Sequence, residues 1–219
     1  MIRHYFKCVR RNTRAIGVNF ITISVIATRK SDSTNGDTQE YEGFESFLGL
    51  LSEHPEKHGI VFMSDKPTDM LHRFLSDFKE IKAAGGLVVN ASGEVLMILR
   101  NGRWDLPKGK VEQGEFMRQA AKREVSEECG VQALDIVSTI RPTFHIYNGK
   151  EGRELKTTYW YQMRCSDPEN SKPQESEGIS EVKWIPAAEL KPYIKDTYHN
   201  IKLLLALFAS DRKDYGDLA

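Results

Sequence analysis

The stretch from Gly109 to Val131, GKVEQGEFMRQAAKREVSEECGV, constrains the fold of this chain more than any other. It begins as a loop that contains two glycines, and it continues from Phe116 to Cys129 without a residue that breaks helices. Gly130 follows, and glycine is the residue at which helices most often end. The stretch therefore predicts a loop that leads directly into one helix.

Three acidic residues of the predicted helix lie on one face. Glu124, Glu127 and Glu128 stand at positions i, i+3 and i+4, so their carboxylates fall within an arc of roughly 100°. Crowded like charges disfavour a helix unless something neutralises them, and a hard divalent cation is the obvious candidate. The alternative is a solvated acidic helix face, which would leave the flanking glycines and Arg123 unexplained.

The spacing of the whole stretch resembles the complete signature of the Nudix hydrolase family. The matching positions are Gly109, Glu115, Arg123, Glu124, Val125, Glu127, Glu128, Gly130 and Val131. The preceding runs AAGGLVVN, GEVLMILR and WDLPKGKVEQGE also resemble the entry to a Nudix domain. Within the family, the Leu-Pro-Lys-Gly-Lys form is most similar to diadenosine polyphosphate hydrolases and to MutT-like nucleotide hydrolases.

The resemblance implies a divalent metal site with Mg²⁺ or Mn²⁺. Its ligands would be Glu124, Glu127 and Glu128, with the backbone carbonyl of Gly109 as a further ligand. Such a cation screens the phosphoryl oxygens and lowers the pKa of a bound water. Glu115, Arg123 and Gly130 are expected to have structural roles.

The general base stays open at this point. Within the family it comes either from the signature stretch, here residues 109–131 and called the box below, or from a loop acid beyond it. The candidates are Glu124, Glu127, Glu175 and Glu177, and a box glutamate is preferred. Glu177 is equally well explained as a solvated loop acid.

Four basic residues near the glycine loop are candidates for binding substrate phosphates. They are Arg100, Arg103, Lys108 and Lys110. Lysine and arginine are the usual partners of phosphate oxygens. Each of the four could instead be an ordinary surface base.

The charge balance makes nucleic acid an improbable partner. The 219 residues carry 31 basic and 31 acidic side chains, so no excess positive charge marks a nucleic-acid surface. The three cysteines are widely spaced, which favours a reducing cytoplasm over a disulfide framework or a metal site. No segment is long enough to span a bilayer.

The first 82 residues are predicted to form a small α/β lobe. The basic start and the apolar segment 15–27 resemble a signal peptide, but the alternation of polar and apolar residues favours two strands, near Ile2–Val9 and Gly17–Ala27. A short helix at 43–54, a strand at 59–63 and a helix from Asp65 complete the lobe. Its role stays open, as does whether Met1 is the natural start.

Residues 83–212 are predicted to form the Nudix domain, an α/β/α sandwich with a mixed sheet, and residues 213–219 a tail. A hairpin around Asn90–Gly93 precedes the box. Strands follow at 133–141, 144–147, 155–164 and 181–185. The apolar segment 197–208 predicts a buried terminal helix.

These features favour a Mg²⁺-dependent hydrolase that splits a diphosphate bond in a nucleoside diphosphate linked to another group. Diadenosine polyphosphates are the first choice of substrate, with oxidised nucleoside triphosphates and ADP-ribose as alternatives. Capped or triphosphate-ended RNA is less favoured because the chain is neutral. The competing hypothesis is a Nudix fold that binds nucleotide without turnover. In either case the first lobe could mediate a homodimer.

Overall fold

The computed structural model describes residues 2–10, 19–27, 75–149 and 152–214. The chain divides into two compact units. The first comprises Met1–Ile81 and Phe144–Thr157, and the second comprises Lys82–Thr143 and Thr158–Ala219. Residues 144–157 come from within the range predicted for the Nudix domain, and no sequence pattern assigns them to the first unit.

The described elements are nine strands and three α-helices. The strands are β1 (Ile2–Arg10), β2 (Asn19–Ala27), β3 (Lys79–Asn90), β4 (Glu94–Arg100), β5 (Arg103–Asp105), β6 (Lys108–Lys110), β7 (Gln132–Gly149), β8 (Gly152–Asp167) and β9 (Ile179–Pro186). The helices are α1 (Met117–Cys129), α2 (Leu190–Lys195) and α3 (His199–Asp214).

The first unit contains the predicted pair of N-terminal strands. β1 and β2 pair antiparallel from Ile2 opposite Ala27 to Arg10 opposite Asn19, which confirms this prediction. β1 also pairs with β7 in parallel, with Phe6 opposite Phe144, so the sheet is mixed. The predicted helix at 43–54, the strand at 59–63 and most of the helix from Asp65 lie outside the described residues.

The sheet of the second unit has a helical layer on each face. Its strands lie in the order β7-β8-β3-β4-β5, with β6 beside β3 and β9 beside β4. Because side chains alternate along a strand, β4 contributes Leu96 and Ile98 to the core under α1, and Val95 and Met97 to the core under α2 and α3. This arrangement confirms the predicted α/β/α sandwich.

One strand differs from the prediction. The segments predicted as separate strands at 133–141 and 144–147 form the single strand β7. β7 and β8 are neighbours in the sheet, and directly after Pro142 the Thr143 hydroxyl accepts a hydrogen bond of 2.8 Å from the indole of Trp160 on β8.

The terminal helix α3 is buried on one side rather than on nearly every side, since Leu205 is fully buried while Ala206 is exposed. None of the helices in the described residues is both long enough and apolar enough to cross a membrane.

Candidate active site

Two glycines of β3 let the loop before the box approach the sheet. The amide of Gly86 donates a hydrogen bond of 3.1 Å to the carbonyl of Pro107. A β-carbon on Gly85 would overlap that carbonyl and the side chain of Lys108. Only a residue without a side chain allows the two backbones to come this close. In the sequence this glycine pair stands out only as part of the run AAGGLVVN, and an adjacent glycine pair inside an apolar strand is the signal from which the close approach could have been predicted.

Gly109 and Glu124 lie against each other. Gly109 sits on β6 opposite Ala84 of β3, and a β-carbon at Gly109 would overlap the carboxylate of Glu124. The acidic face of α1 therefore packs directly on the backbone of the glycine loop. These two residues were predicted to share a metal site, and the fold brings them together.

The opposite face of α1 anchors the helix to the core. Ala120, Ala121 and Val125 are fully buried, which leaves the acidic face toward the glycine loop. The helix ends at Gly130, whose φ of 72° is in the left-handed region and whose amide donates to the carbonyl of Ser126 at 2.8 Å. The helix thus begins and ends almost where the sequence predicted.

Arg123 joins four partners around the box. It donates two hydrogen bonds of 2.9 Å to Glu115, one of 2.9 Å to Glu124 and one of 3.0 Å to Glu127. Its Nη2 also donates to the carbonyl of Lys110 at 3.0 Å. The hydrogen bonds from Arg123 lower the pKa of Glu115. The carboxylates of Glu115, Glu124 and Glu127 in turn raise the pKa of Arg123. Arg123 therefore ties the glycine loop to the helix.

Glu128 is the most deeply buried acid of the site, with 2% of its side chain exposed. One carboxylate oxygen accepts the backbone amide of Lys108 at 2.8 Å, and the other accepts Nη1 of Arg100 at 2.7 Å. Burial raises the pKa of Glu128 to about 7, against the opposing effects of Lys108 and Arg100.

The loop before β9 brings a fourth acid to the site. A short 3₁₀ turn over Glu175–Glu177 ends at Gly178, and the carboxylate of Glu177 accepts Nη2 of Arg100 at 2.6 Å. Burial raises the pKa of Glu124, and the charges of Glu127 and Glu177 raise it further, while Arg123 lowers it. Glu175, the other loop candidate for the base, is exposed.

The four bases predicted to bind phosphate have different surroundings. Arg100 bridges two carboxylates, as described above, and the guanidinium of Arg103 lies 5.2 Å from the ring centre of Tyr198. The ammonium of Lys108 is 2.5 Å from the carboxylate of Asp105, a residue that is 3% exposed. Lys110 is exposed. The sequence analysis did not identify Asp105, because a lone aspartate before Leu-Pro has no distinctive pattern.

The side chains of the box are suitable for a hard cation, although they do not converge on one point. Within the described ranges, no three His, Cys, Asp or Glu side chains lie close enough to hold one metal ion. The carboxylates of Glu124 and Glu127 each accept a hydrogen bond from Arg123, and that of Glu128 accepts one from Arg100.

Five carboxylates nevertheless share these two arginines, so negative charge remains in excess at the site. Carboxylate oxygens are the ligands that Mg²⁺ and Mn²⁺ prefer. Glu127 is the most exposed of the three box acids, with 49% of its side chain exposed.

Comparison with known proteins shows the family to which this part of the chain is similar. The model of the NUDIX domain matches residues 79–207. An RNA pyrophosphohydrolase of Roseobacter denitrificans is 30% identical over 137 residues, which cover 52% of this chain and 84% of that protein. An 8-oxo-dGTP diphosphatase of Haemophilus influenzae is 32% identical over 112 residues, covering 42% of this chain and 82% of that protein.

Two further proteins show how much of the chain the similarity covers. The mutator protein MutT4 of Mycobacterium tuberculosis is 35% identical over 120 residues, but this chain spans only 47% of its length. The crystal structure of a C. elegans Ap4A hydrolase binary complex has a TM-score of 0.48 and 26% identity, covering 61% of this chain and 98% of that one. The family model matches more than half of the 219 residues, and the chain therefore belongs to the Nudix hydrolase family.

Proposed function

We propose that this chain hydrolyses a diphosphate bond in a nucleotide with the help of a divalent cation. The observation that carries the proposal is the packing of the Glu124 carboxylate on the backbone of Gly109, beside further acids that outnumber their arginines. When bound, Mg²⁺ or Mn²⁺ would neutralise phosphate charge and lower the pKa of a coordinated water. An excess of carboxylates this close together favours such a cation electrostatically.

The cation would be held by Glu124, Glu127 and Glu128, together with the carbonyl of Gly109. Each carboxylate oxygen has two lone pairs, so Glu128 can keep its bonds to Arg100 and to the Lys108 amide and still offer a lone pair to the cation. Arg123 keeps the first two of these acids in place through its bonds to both.

The proton of the attacking water would pass to a box glutamate, Glu124 or Glu127. Glu127 is the more exposed of the two, with 49% of its side chain exposed against 13% for Glu124, so it is the more accessible to a water molecule. Glu177 is the weaker candidate because Arg100 holds its carboxylate at 2.6 Å, closer than Arg123 holds Glu124 at 2.9 Å or Glu127 at 3.0 Å. The shorter the hydrogen bond from a guanidinium, the more it stabilises the ionised carboxylate and the poorer a proton acceptor that carboxylate becomes.

Substrate phosphates would meet Lys110 first. Its side chain is exposed and follows Gly109 directly. Lys108 and Arg103 are proposed as secondary contacts, because the first is paired with Asp105 and the second is stacked on Tyr198. Arg100 is the remaining sequence candidate, but its two terminal nitrogens donate to the carboxylates of Glu128 and Glu177.

Diadenosine polyphosphates are the substrate class that we propose first, because of the Leu-Pro-Lys-Gly-Lys form of the loop. The second candidate is a nucleotide that ends in a triphosphate. It is favoured by the two relatives named as an 8-oxo-dGTP diphosphatase and an RNA pyrophosphohydrolase, which this chain covers over most of their length. ADP-ribose is the third candidate.

The test is product release from a panel of substrates with Mg²⁺ and with Mn²⁺. The panel contains diadenosine tetraphosphate, 8-oxo-dGTP, ADP-ribose and a 5′-triphosphate RNA. We expect one class to be hydrolysed and Glu127→Gln to lower its kcat by about 10²–10⁴-fold, as loss of a general base does. Glu112→Gln is the matched control, since Glu112 is an exposed glutamate of the loop that precedes α1. If no substrate is hydrolysed with either metal, the hydrolase proposal is wrong, and nucleotide binding without turnover becomes the better hypothesis.

A further inference from the structure

Arg100 connects two elements that carry acids. It is the last residue of β4, and its two terminal nitrogens point to different carboxylates. Nη1 donates to Glu128 on α1 at 2.7 Å, and Nη2 donates to Glu177 in the loop before β9 at 2.6 Å. The two carboxylates are 49 sequence positions apart, and one planar group holds them side by side.

The backbone on both sides of this bridge is fixed. The amide of Asn101 donates to the carbonyl of Gly178 at 2.9 Å, and the amide of Lys172 donates to the carbonyl of Cys129, at the end of α1, at 2.7 Å. Glu128 is buried and also accepts the amide of Lys108. The side chain of Glu177, by contrast, is 51% exposed, so its backbone is anchored while its carboxylate depends on Arg100 for its direction.

We infer that Arg100 is a positioning residue, which holds the carboxylate of Glu177 beside Glu128 so that the loop acid joins the box acids at the cation site. The inference rests on the cation-dependent function proposed above. It reassigns Arg100, which the sequence analysis expected to bind substrate phosphate. A rigid guanidinium fork can bridge two carboxylates at fixed angles, whereas an ammonium is a single point of charge on a flexible chain.

The critical variant is Arg100→Lys, because it keeps the charge and removes the fork. The measurement is the Mn²⁺ dissociation constant of the full, substrate-free chain, determined by electron paramagnetic resonance. Since residues that orient metal ligands typically contribute 10–100-fold to affinity, we expect Arg100→Lys to weaken Mn²⁺ binding by about 10-fold. Glu177→Gln should weaken it to a similar extent, and the double variant should bind no more weakly than either single variant.

The matched control is Arg118→Lys. Arg118 is exposed on the same helix as Glu128, but its guanidinium lies 5.8 Å from the ring centre of Tyr161. This variant should leave Mn²⁺ affinity unchanged. Circular dichroism melting checks that each variant is folded. Glu177→Gln, at an exposed side chain, tests the same link if Arg100→Lys does not fold.

Three results would overturn the inference. If Arg100→Lys keeps Mn²⁺ affinity to within about twofold, Arg100 supplies only charge. If it instead raises KM for the nucleotide while Mn²⁺ affinity is unchanged, Arg100 binds substrate. If the natural chain binds no Mn²⁺ at all, the proposed function fails along with the inference. Normal Mn²⁺ binding that is indifferent to Arg100 overturns the inference alone.

Discussion

Replacing Gly109 by alanine should separate activity from stability in this protein. The added β-carbon would occupy the space of the Glu124 carboxylate. That carboxylate is the far end of a side chain that can rotate, so the helix and β6 can stay in place while the acid moves. The variant therefore displaces one site group by a short distance and leaves the core unchanged.

The size of each effect follows from the contacts involved. The carboxylate stands to lose its 2.9 Å bond to Arg123, and hydrogen bonds to charged groups contribute about 1.5–3 kcal/mol. Alanine stabilises a strand by roughly 0.5–1 kcal/mol relative to glycine, because it loses less conformational entropy on folding. We expect the free energy of unfolding to fall by about 1–2 kcal/mol. A displacement of about 1 Å in a catalytic group can cost 10²-fold in rate, so kcat should fall by about that factor.

Gly86→Ala is the matched control on β3, because its β-carbon would crowd Val125 and Met163 in the core. Overpacking of this kind destabilises by about 1–3 kcal/mol, so this variant should lose stability and keep its kcat below the melting transition. The assays are urea unfolding and steady-state kinetics on the best substrate of the panel. If Gly109→Ala retains full kcat, the assignment of Glu124 to the reacting centre is wrong.

Three further predictions concern stability. Arg123 lowers the pKa of Glu115 below 4.5, so their pairing stabilises the fold fully above that pH and is lost as the pH falls through the lower folded value. Glu115→Gln should therefore reduce the free energy of unfolding by about 1–2 kcal/mol at pH 7. If the variant is still less stable than the natural chain at a pH below both the folded and the unfolded pKa of Glu115, this explanation is contradicted. Gly130→Ala should lower the free energy of unfolding by at least about 1–2 kcal/mol, because φ at this position is 72° and the added β-carbon would lie 2.9 Å from the amide nitrogen of Lys172. Urea unfolding that is the same as for the natural chain would refute this argument. Mg²⁺ at a hundredfold excess over its dissociation constant should add about 2.7 kcal/mol and raise the melting temperature by roughly 5–10 °C, an increase that Glu124→Gln should reduce and a chelator should reverse.

The sequence was most informative where local spacing and turn chemistry decide the structure. The bounds of α1 follow from Gly130 and from the absence of helix breakers, and they agree with the structure to within one residue at Phe116. The strands β1 to β4 were predictable from alternation and from turn residues such as those at 90–93. The continuous strand β7 was not, because Pro142 reads as a break unless the partner strand is known.

The sequence proposes the residues of the candidate site but not how they pair. The spacing of the box identifies its acids, since residues three and four apart on a helix share a face. It does not show that Arg100 bridges Glu128 and Glu177, or that Asp105 takes the charge of Lys108. In the Arg100 pairs the partners come from separate segments of the chain, and a local sequence pattern does not show which side chains the fold will bring into contact.

The sequence by itself therefore determined the helix, its acidic face and membership of the family, all of which depend on the periodicity and identity of neighbouring residues. The tertiary structure alone decided which basic side chains pair with acids, and which acid of the loop before β9 lies beside the box. It also decided how closely Gly109 approaches Glu124. The physical reason is that ion pairing and close packing depend on distances between segments, and those distances exist only once the sheet has brought the segments together.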